Sequence, residues 1–330
     1  MRRATLSLDL DNRWSYMKTH GDAGWETFPS YLETLVPRAL ELLARQRVRI
    51  TVFVVGQDAA LDRNAAPLRA LALAGHEIGN HSFHHEPWLH LRREDEIERE
   101  LARAEAAIEH ATGVRPQGFR GPGFTRSHTI LRVLARRGYR YDASTLATWI
   151  GPLARAYYFR SMRLQEREKR ERAALFGRWS DGLQPNRCHF ERTAAGDIAV
   201  VPVTVMPLLR VPIHVSYLLY LAVVDPALAR AYFDAALALC RLTGTEPSIL
   251  LHPLDFLDAG DAPELMFFPA LQLPLATKLG IVSYVCERLT AAYRVGPILD
   301  YVRLREARPA MPAAPRPPEY RSPSRADPHP

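Results

Sequence analysis

Short apolar stretches typical of buried strands alternate with helical stretches over the first 145 residues, and this alternation limits the folds open to the chain. Residues 4–10 and 49–55 are short and mainly apolar, with β-branched side chains frequent in 49–55, and residues 31–45 between them have the spacing of an amphipathic helix. A longer helix is predicted over 94–112, where Gly113 ends it. Repeated strand–helix units predict an α/β fold with a parallel sheet, closed as a barrel or open.

The pattern changes in two places. Between about 151 and 192 the chain is rich in Arg and Glu, with interleaved aromatic residues, and its composition is helical. From 303 onward prolines and arginines dominate and apolar residues are few, which predicts disorder. We therefore expect one domain over 1–302 with a helical insertion at about 151–192, followed by a disordered tail over 303–330.

The charge of the chain is unevenly placed. The net charge is +7, and the segments 155–192 and 303–330 account for it. A uniformly basic surface is thus not indicated, and we expect no nucleic-acid partner. Without a secretory signal or an apolar run of membrane-spanning length, and with three scattered cysteines, the sequence predicts a cytoplasmic protein. Local contact of the basic segments with an anionic membrane stays open.

Ionisable residues follow the predicted strands. Asp9 and Asp11 come at the end of the first strand, two residues apart and so on one face of it. Two carboxylates this close repel each other, and a cation between them resolves the conflict. Taken alone, such a pair also marks turns and helix caps.

A histidine cluster, His81-Ser82-Phe83-His84-His85, follows another short strand. If these residues form a helical turn, His81 and His85 project from one face, as in zinc hydrolases. The pair His81 and His84 is the competing choice, and a capping role for one of the histidines is a further alternative.

Three more strand ends carry ionisable side chains, namely Arg120 in a Gly-Pro-Gly loop, Asp142 and His252. Each taken singly is compatible with a surface or hydrogen-bonded structural residue. The carboxyl ends of parallel strands, however, lie together and form the ligand-binding face of α/β folds. The joint placement of these residues therefore predicts one active site.

These motifs resemble those of the polysaccharide deacetylase family, also called the NodB-homology or carbohydrate esterase family 4 group. The family has an acidic pair, then H-[ST]-x-x-H, R-x-P-x-G/F and a late L-x-H. The matching stretches are Asp9-Leu10-Asp11, His81-Ser82-Phe83-His84-His85, Arg120-Gly121-Pro122-Gly123-Phe124 and Leu250-Leu251-His252. The spaced D-x-D departs from the commoner adjacent aspartates and is similar to allantoinase-like and intracellular deacetylase members. Asp142 and Trp149 match the family's fourth motif loosely.

The resemblance implies a distorted (β/α)7-type barrel. It also implies that Asp11, His81 and His85 bind one divalent metal, usually Zn²⁺.

The resemblance assigns catalytic roles to five further residues. Asp9 would accept the proton of the attacking water, and the backbone N–H of Gly123 would hold the oxyanion. His252 would protonate the leaving amine. Arg120 would orient Asp9, alongside Asp142.

The predicted function is a metal-dependent deacetylase that hydrolyses the N-acetyl or N-formyl amide of an amino-sugar-containing substrate. The apolar, proline-punctuated segment 206–224 suggests a lipid-linked substrate, and its alternative interpretation is a core strand and helix. An allantoinase-like cyclic amide hydrolase and a non-catalytic carbohydrate-binding module are the alternative functions.

Overall fold

Parallel strand pairing dominates the protein, whose computed structural model describes residues 2–151 and 179–307. The strands of the described residues are β1 (Arg3–Leu10), β2 (Thr51–Val54), β3 (Glu77–Asn80), β4 (Gly118–Phe119), β5 (Tyr141–Asp142), β6 (His189–Thr193), β7 (Gly196–Val200), β8 (Ser248–Leu251) and β9 (Arg294–Gly296). Their order is β6-β7-β5-β4-β3-β2-β1-β8, and β9 pairs with the start of β1. Only the β6–β7 pair in this sheet is antiparallel among the described strands.

The sheet closes on itself. Beyond β7, the N–H of Thr204 donates to the carbonyl of Ser248 at 2.9 Å, and the hydroxyl of Thr204 accepts from the N–H of Ser248 at 2.8 Å. The segment after β7 therefore reaches β8 and joins the two ends of a seven-stranded parallel path. This arrangement confirms the predicted distorted (β/α)7-type barrel.

Helices surround the barrel. Those of the described residues are α1 (Arg13–His20), α2 (Leu32–Arg45), α3 (Gly56–Ala59), α4 (Ala65–Leu73), α5 (Glu94–Thr112), α6 (His128–Arg136), α7 (Val215–Val224), α8 (Pro226–Thr243), α9 (Leu275–Ala292) and α10 (Ile298–Glu306). Helix α5 has the predicted bounds, and Gly113 ends it in the left-handed conformation at φ 75°.

Aromatic side chains fill the inside of the barrel. Phe53 and Tyr141 pack edge to face with ring centroids 6.3 Å apart. Each lies over a glycine of the neighbouring strand: a Cβ on Gly79 would lie 2.6 Å from the ring of Phe53, and one on Gly118 would lie 2.0 Å from that of Tyr141. The two glycines are therefore required by the packing of the interior, and larger residues there would overpack it.

The predicted boundaries of the insertion need one correction. Residues 189–192, the end of the predicted helical insertion, belong to β6, which pairs with β7 in a hairpin. Along β6, the exposed residues Phe190 and Arg192 alternate with more buried neighbours, which is the two-residue period of a strand. Composition alone does not reveal this period. The predicted disordered tail over 303–330 is wrong at its start, because residues 303–306 belong to α10. The part of the insertion at 152–178 and the rest of the tail, 308–330, lie outside the described residues, so both stay predictions.

Candidate active site

The register of the parallel strands brings the predicted site residues to one level. Leu10 pairs with Val54, Val54 with Asn80, and Asn80 with Phe119. Asp11 directly follows β1, His81 directly follows β3 and Arg120 directly follows β4. Because side chains alternate along a strand, these three residues share one end and one face of the sheet.

Asp11, His81 and His85 form a cluster that is suited to a metal ion. One ligand atom from each residue lies within 4.8 Å of the other two. Oδ1 of Asp11 is 3.2 Å from Nε2 of His81 and 2.9 Å from Nε2 of His85. We refer to these three residues as the metal triad.

The hydrogen bonding of the triad fits a shared cation. Oδ1 of Asp11 and Nε2 of His85 are buried and have no partner with hydrogen-bond geometry, although they approach each other closely. Nδ1 of His81 lies 2.6 Å from the carbonyl oxygen of Arg120, so its N–H donates there and Nε2 is left with a lone pair facing Asp11. Metal-binding histidines are commonly oriented by such a second hydrogen bond.

The electrostatics of Asp11 favour its charged form. Burial raises the pKa of this carboxyl, but the neighbouring rings of His85 and His81 oppose the effect of burial and hold the pKa well below its usual range. The carboxylate is therefore ionised at neutral pH, as a metal ligand must be.

His81 and His85 do not meet on a helical turn, so that part of the prediction is wrong. Residues 81–85 form an irregular loop in which Ser82 and His85 take the left-handed conformation, at φ 63° and 53°. Two residues other than glycine in this region curl the loop tightly enough to return His85 towards His81.

His84 lies outside the metal triad. Its Nδ1 is 2.7 Å from Oε2 of Glu100, and 45% of its side chain is exposed. Oε1 of Glu100 also accepts from the backbone N–H groups of Phe83 and His84, at 2.9 and 2.6 Å. Glu100 thus holds the loop in place. Sequence reasoning missed this residue because it lies inside an amphipathic helix among many other acids.

Asp9 is paired with Arg120 inside the barrel. Nη1 of Arg120 donates to Oδ1 of Asp9 at 2.7 Å and to the hydroxyl of Ser7 at 2.9 Å. Nε of Arg120 donates to the carbonyl of Ala143 at 2.9 Å, and the guanidinium carbon lies 4.4 Å from the centroid of the Phe53 ring. Arg120 is fully buried and Asp9 is 4% exposed. The contact agrees with the predicted orienting role of Arg120.

Asp142 is not beside Arg120, and this prediction is wrong. Asp142 pairs with Phe119, which packs in the helix-side core, whereas its neighbour Tyr141 faces the barrel interior. The side chain of Asp142 therefore points to the helix layer. It accepts from the hydroxyl of Ser144 at 2.5 Å and lies 3.5 Å from Nε of Arg126.

The loop after Arg120 presents a free backbone donor. Gly123 is exposed and has φ 62°, a conformation that glycine adopts at little cost. Among the described residues no hydrogen-bond partner is found for its N–H. A donor of this kind is available to a ligand, as the oxyanion prediction requires.

His252 extends the site on the other side of β1. Leu8 pairs with Leu251, so the following residues, Asp9 and His252, lie side by side at the ends of β1 and β8. Nδ1 of His252 is 2.9 Å from the hydroxyl of Ser216, which donates to Asp255. Sequence reasoning placed His252 in the site but missed these two partners.

A buried polar network supports the end of β1. Oδ1 of Asp58 accepts from Nδ2 of Asn12 at 2.7 Å and from the indole N–H of Trp14 at 2.9 Å. Burial raises the pKa of Asp58 to about 7. The Trp14 ring in turn contacts that of His85 edge to face, with centroids 6.5 Å apart. The network links the turn that follows Asp11 to the irregular loop of residues 81–85, here called the histidine loop.

The segment 206–224 is divided between the core and the surface, so neither interpretation of it is settled. Helix α7 buries Val215, Leu218, Leu219 and Ala222. Burial of these side chains stabilises the fold. Other large apolar side chains of the segment are exposed, namely Leu208, Leu209, Tyr220, Val223 and Val224. No helix of the described chain has the length and apolar character needed to span a bilayer.

Fold and site together define a barrel protein of the α/β class with a candidate metal triad at the carboxyl ends of its strands. Residues 18–141 match the family model described as polysaccharide deacetylase. Over these residues, less than half of its length, the chain is similar to the polysaccharide deacetylase family, the NodB-homology or carbohydrate esterase family 4 group.

Curated relatives are similar over part of their length. A peptidoglycan deacetylase from Helicobacter pylori is 27% identical over 128 residues, which cover 39% of this chain and 41% of that protein. A chitooligosaccharide deacetylase from Azorhizobium caulinodans is 34% identical over 110 residues, 32% of this chain and 50% of that protein. The chain thus spans half or less of the length of these two relatives.

Solved structures share the fold over nearly the whole chain. A protein from Mycobacterium smegmatis, assigned as a polysaccharide deacetylase, superposes with a TM-score of 0.64 at 20% identity, covering 97% of this chain and 96% of that one. Puue allantoinase superposes with a TM-score of 0.57 at 17% identity, covering 94% and 92%. At these identities the likeness shows the barrel fold.

Proposed function

We propose that this protein is a metal-dependent deacetylase that hydrolyses the N-acyl amide of an amino-sugar-containing substrate. The observation that carries the proposal is the convergence of Asp11, His81 and His85, from two separate strand ends, on a space where one cation can contact all three. The match of residues 18–141 to the polysaccharide deacetylase model supports the same reaction class.

The metal triad would hold the cation, and Zn²⁺ suits a set of two imidazoles and one carboxylate. When bound, such a cation supplies Lewis acidity to the acyl carbonyl and lowers the pKa of water towards about 7. Three protein ligands leave room for water and substrate, which separates a catalytic site from a closed structural one.

Asp9 is the proposed base. Its Oδ1 accepts from Arg120, and its place two residues before Asp11 puts it on the face of the metal triad. A carboxylate in this position can accept the proton of the attacking water. Because Arg120 is held at three points, the orientation of Asp9 is restricted before substrate binds.

The remaining steps fall to Gly123 and His252. The free N–H of Gly123 is available to donate to the oxygen that becomes negative when water adds to the amide carbon. The C–N bond then breaks, its electron pair stays on nitrogen, and a proton from Nε2 of His252 completes the amine. The products are a carboxylic acid and the free amino sugar.

The acyl group is acetyl or formyl and the substrate an N-acylated sugar, since two similar proteins are named as deacetylases of peptidoglycan and of chitooligosaccharide. Linkage of that sugar to a lipid is the finer form of the proposal. The exposed side chains of Leu208, Leu209 and Val224 are the ones of segment 206–224 that a lipid chain could contact.

The test is release of acetate or formate from N-acetylglucosamine oligomers, peptidoglycan fragments and lipid-linked N-formyl sugars, with allantoin as the competing substrate. Removal of metal with a chelator should abolish release, and added Zn²⁺ should restore it. Asp9→Asn should lower turnover by about 10²–10⁴-fold with metal content unchanged, as expected for loss of a general base. Asp142→Asn, an equivalent change on the outer face of the sheet, is the matched control and should retain turnover.

Hydrolysis of allantoin alone would favour the cyclic amide reaction instead. Absence of both activities, together with absence of bound metal, would favour a carbohydrate-binding module.

A further inference from the structure

A chain of hydrogen bonds runs from the His252 ring into the protein. Nδ1 of His252 lies 2.9 Å from Oγ of Ser216, the second residue of α7. That hydroxyl donates to Oδ1 of Asp255 at 2.9 Å. Oδ2 of Asp255 accepts from the backbone N–H of His252 at 2.8 Å, so the carboxylate holds the histidine at two points.

The direction of each hydrogen bond follows from the number of protons available. Both oxygens of Asp255 act as acceptors, and a serine hydroxyl has one proton to give. With Asp255 as a carboxylate, the hydroxyl of Ser216 donates to it, and the oxygen of Ser216 accepts from Nδ1–H of His252. Neutral His252 is therefore the Nδ1–H tautomer, and its Nε2 carries a proton only when the ring is an imidazolium.

We propose that Ser216 and Asp255 are positioning residues that fix the tautomer and orientation of His252, so that the proton it delivers to the leaving amine comes from Nε2. This inference rests on the proposed deacetylase function. When the C–N bond breaks, the Nε2 proton moves to the amine nitrogen and the ring returns to the neutral Nδ1–H form. Asp255 stabilises the imidazolium through Ser216, the role that an oriented carboxylate has in other His-based sites.

Two surrounding features support this arrangement. Asp255 is fully buried, and the ammonium of Lys278 donates to the carbonyls of Leu254 and Leu257 in the same turn, at 3.0 and 2.6 Å. These contacts fix the turn that carries Asp255. The nearby ring of His214, with its centroid 6.0 Å from that of His252, is held neutral because burial and the His252 ring lower its pKa to about 3.

The tautomer can be measured without any assay of activity. In the full chain labelled with ¹⁵N-histidine, long-range ¹H–¹⁵N correlation distinguishes a protonated Nδ1 from a protonated Nε2. The His252 signals are assigned by their loss in His252→Gln. We expect neutral His252 to be the Nδ1–H tautomer in the wild type and to shift towards Nε2–H in Ser216→Ala. Ser216→Thr, which keeps the hydroxyl, should restore the Nδ1–H form.

The kinetic test uses the same variants with the substrate found for the wild type. Ser216→Ala should lower kcat by about 10- to 10²-fold. General acid catalysis contributes about 10²–10⁴-fold, and the variant keeps His252 but loses the contact that orients it, so only part of this contribution is lost. KM should change less than about twofold, because the substrate contacts stay in place. Ser127→Ala, which removes the N-cap of α6, controls for a general loss of stability and should leave kcat unchanged.

The outcomes separate the two proposals. A wild-type His252 in the Nε2–H form, or a tautomer that Ser216→Ala leaves unaltered, overturns the positioning role. An active wild type whose Ser216→Ala variant matches Ser127→Ala in kcat overturns it as well. If the wild type hydrolyses no N-acyl sugar, the proposed function fails, while the tautomer measurement still decides whether Ser216 orients His252.

Discussion

Replacing Arg120 by methionine should destabilise the protein strongly. The guanidinium is fully buried and donates to Asp9 at 2.7 Å, to Ser7 at 2.9 Å and to the carbonyl of Ala143 at 2.9 Å. Methionine has a similar length and supplies none of these donors, so Asp9 is left buried and charged without a partner. Removing one member of a buried ion pair costs about 3–5 kcal/mol of unfolding free energy.

Urea unfolding followed by tryptophan fluorescence, in the presence of a chelator so that metal binding does not contribute, measures this cost. Arg132→Met is the matched control, since Arg132 pairs with Glu94 at 2.5 Å on the surface and such pairs contribute below about 1 kcal/mol. Adding Asp9→Asn to Arg120→Met should recover part of the loss, because the unpaired charge is then removed. Equal costs for Arg120→Met and Arg132→Met would refute the reasoning.

Three further predictions concern residues around the site. Asp142→Asn should keep turnover within about twofold in the acyl-release assay, because its side chain lies on the helix side of the sheet; a loss comparable to that of Asp9→Asn would contradict this placement. Glu100→Ala frees the histidine loop and should weaken Zn²⁺ binding by about 10- to 100-fold in a competition titration, as loss of outer-shell partners does; unchanged affinity would show that Glu100 does not hold the loop. Burial lowers the pKa of Lys278 from its ordinary value of 10.5 to about 8. Between these two pH values the unfolded chain binds more protons than the folded protein, so the free energy of unfolding rises with pH. From pH 7.5 to 9.5 the gain should be about 1–2 kcal/mol in the wild type relative to Lys278→Met, measured by urea unfolding; parallel pH curves for the two proteins would exclude it.

Much of the site could be predicted because parallel strands are regular. Once Leu10, Asn80 and Phe119 are recognised as the last residues of neighbouring strands, the polar residues after them must meet at one edge. The mainly apolar composition of β1 made the first of these ends easy to find. The same regularity shows why Asp142 was misplaced: it is one residue out of phase with Arg120 and so faces the helices.

Other parts of the site depend on contacts that local sequence does not encode. The left-handed conformations of Ser82 and His85 are imposed by the surroundings of the loop, and neither residue type prefers them. Ser216 lies 36 residues from His252 along the chain, and only the packing of α7 against the end of β8 brings them together. Pairings of this kind follow from tertiary structure.

The most direct measurement of the central claim is the metal content of the native protein and two histidine variants. Elemental analysis after dialysis against Zn²⁺ should give about one ion per chain for the wild type and for His84→Ala, whose side chain faces Glu100. His85→Ala removes a member of the metal triad and should retain much less. Equal zinc in all three proteins, or none in the wild type, would contradict the assignment of Asp11, His81 and His85 as the metal ligands.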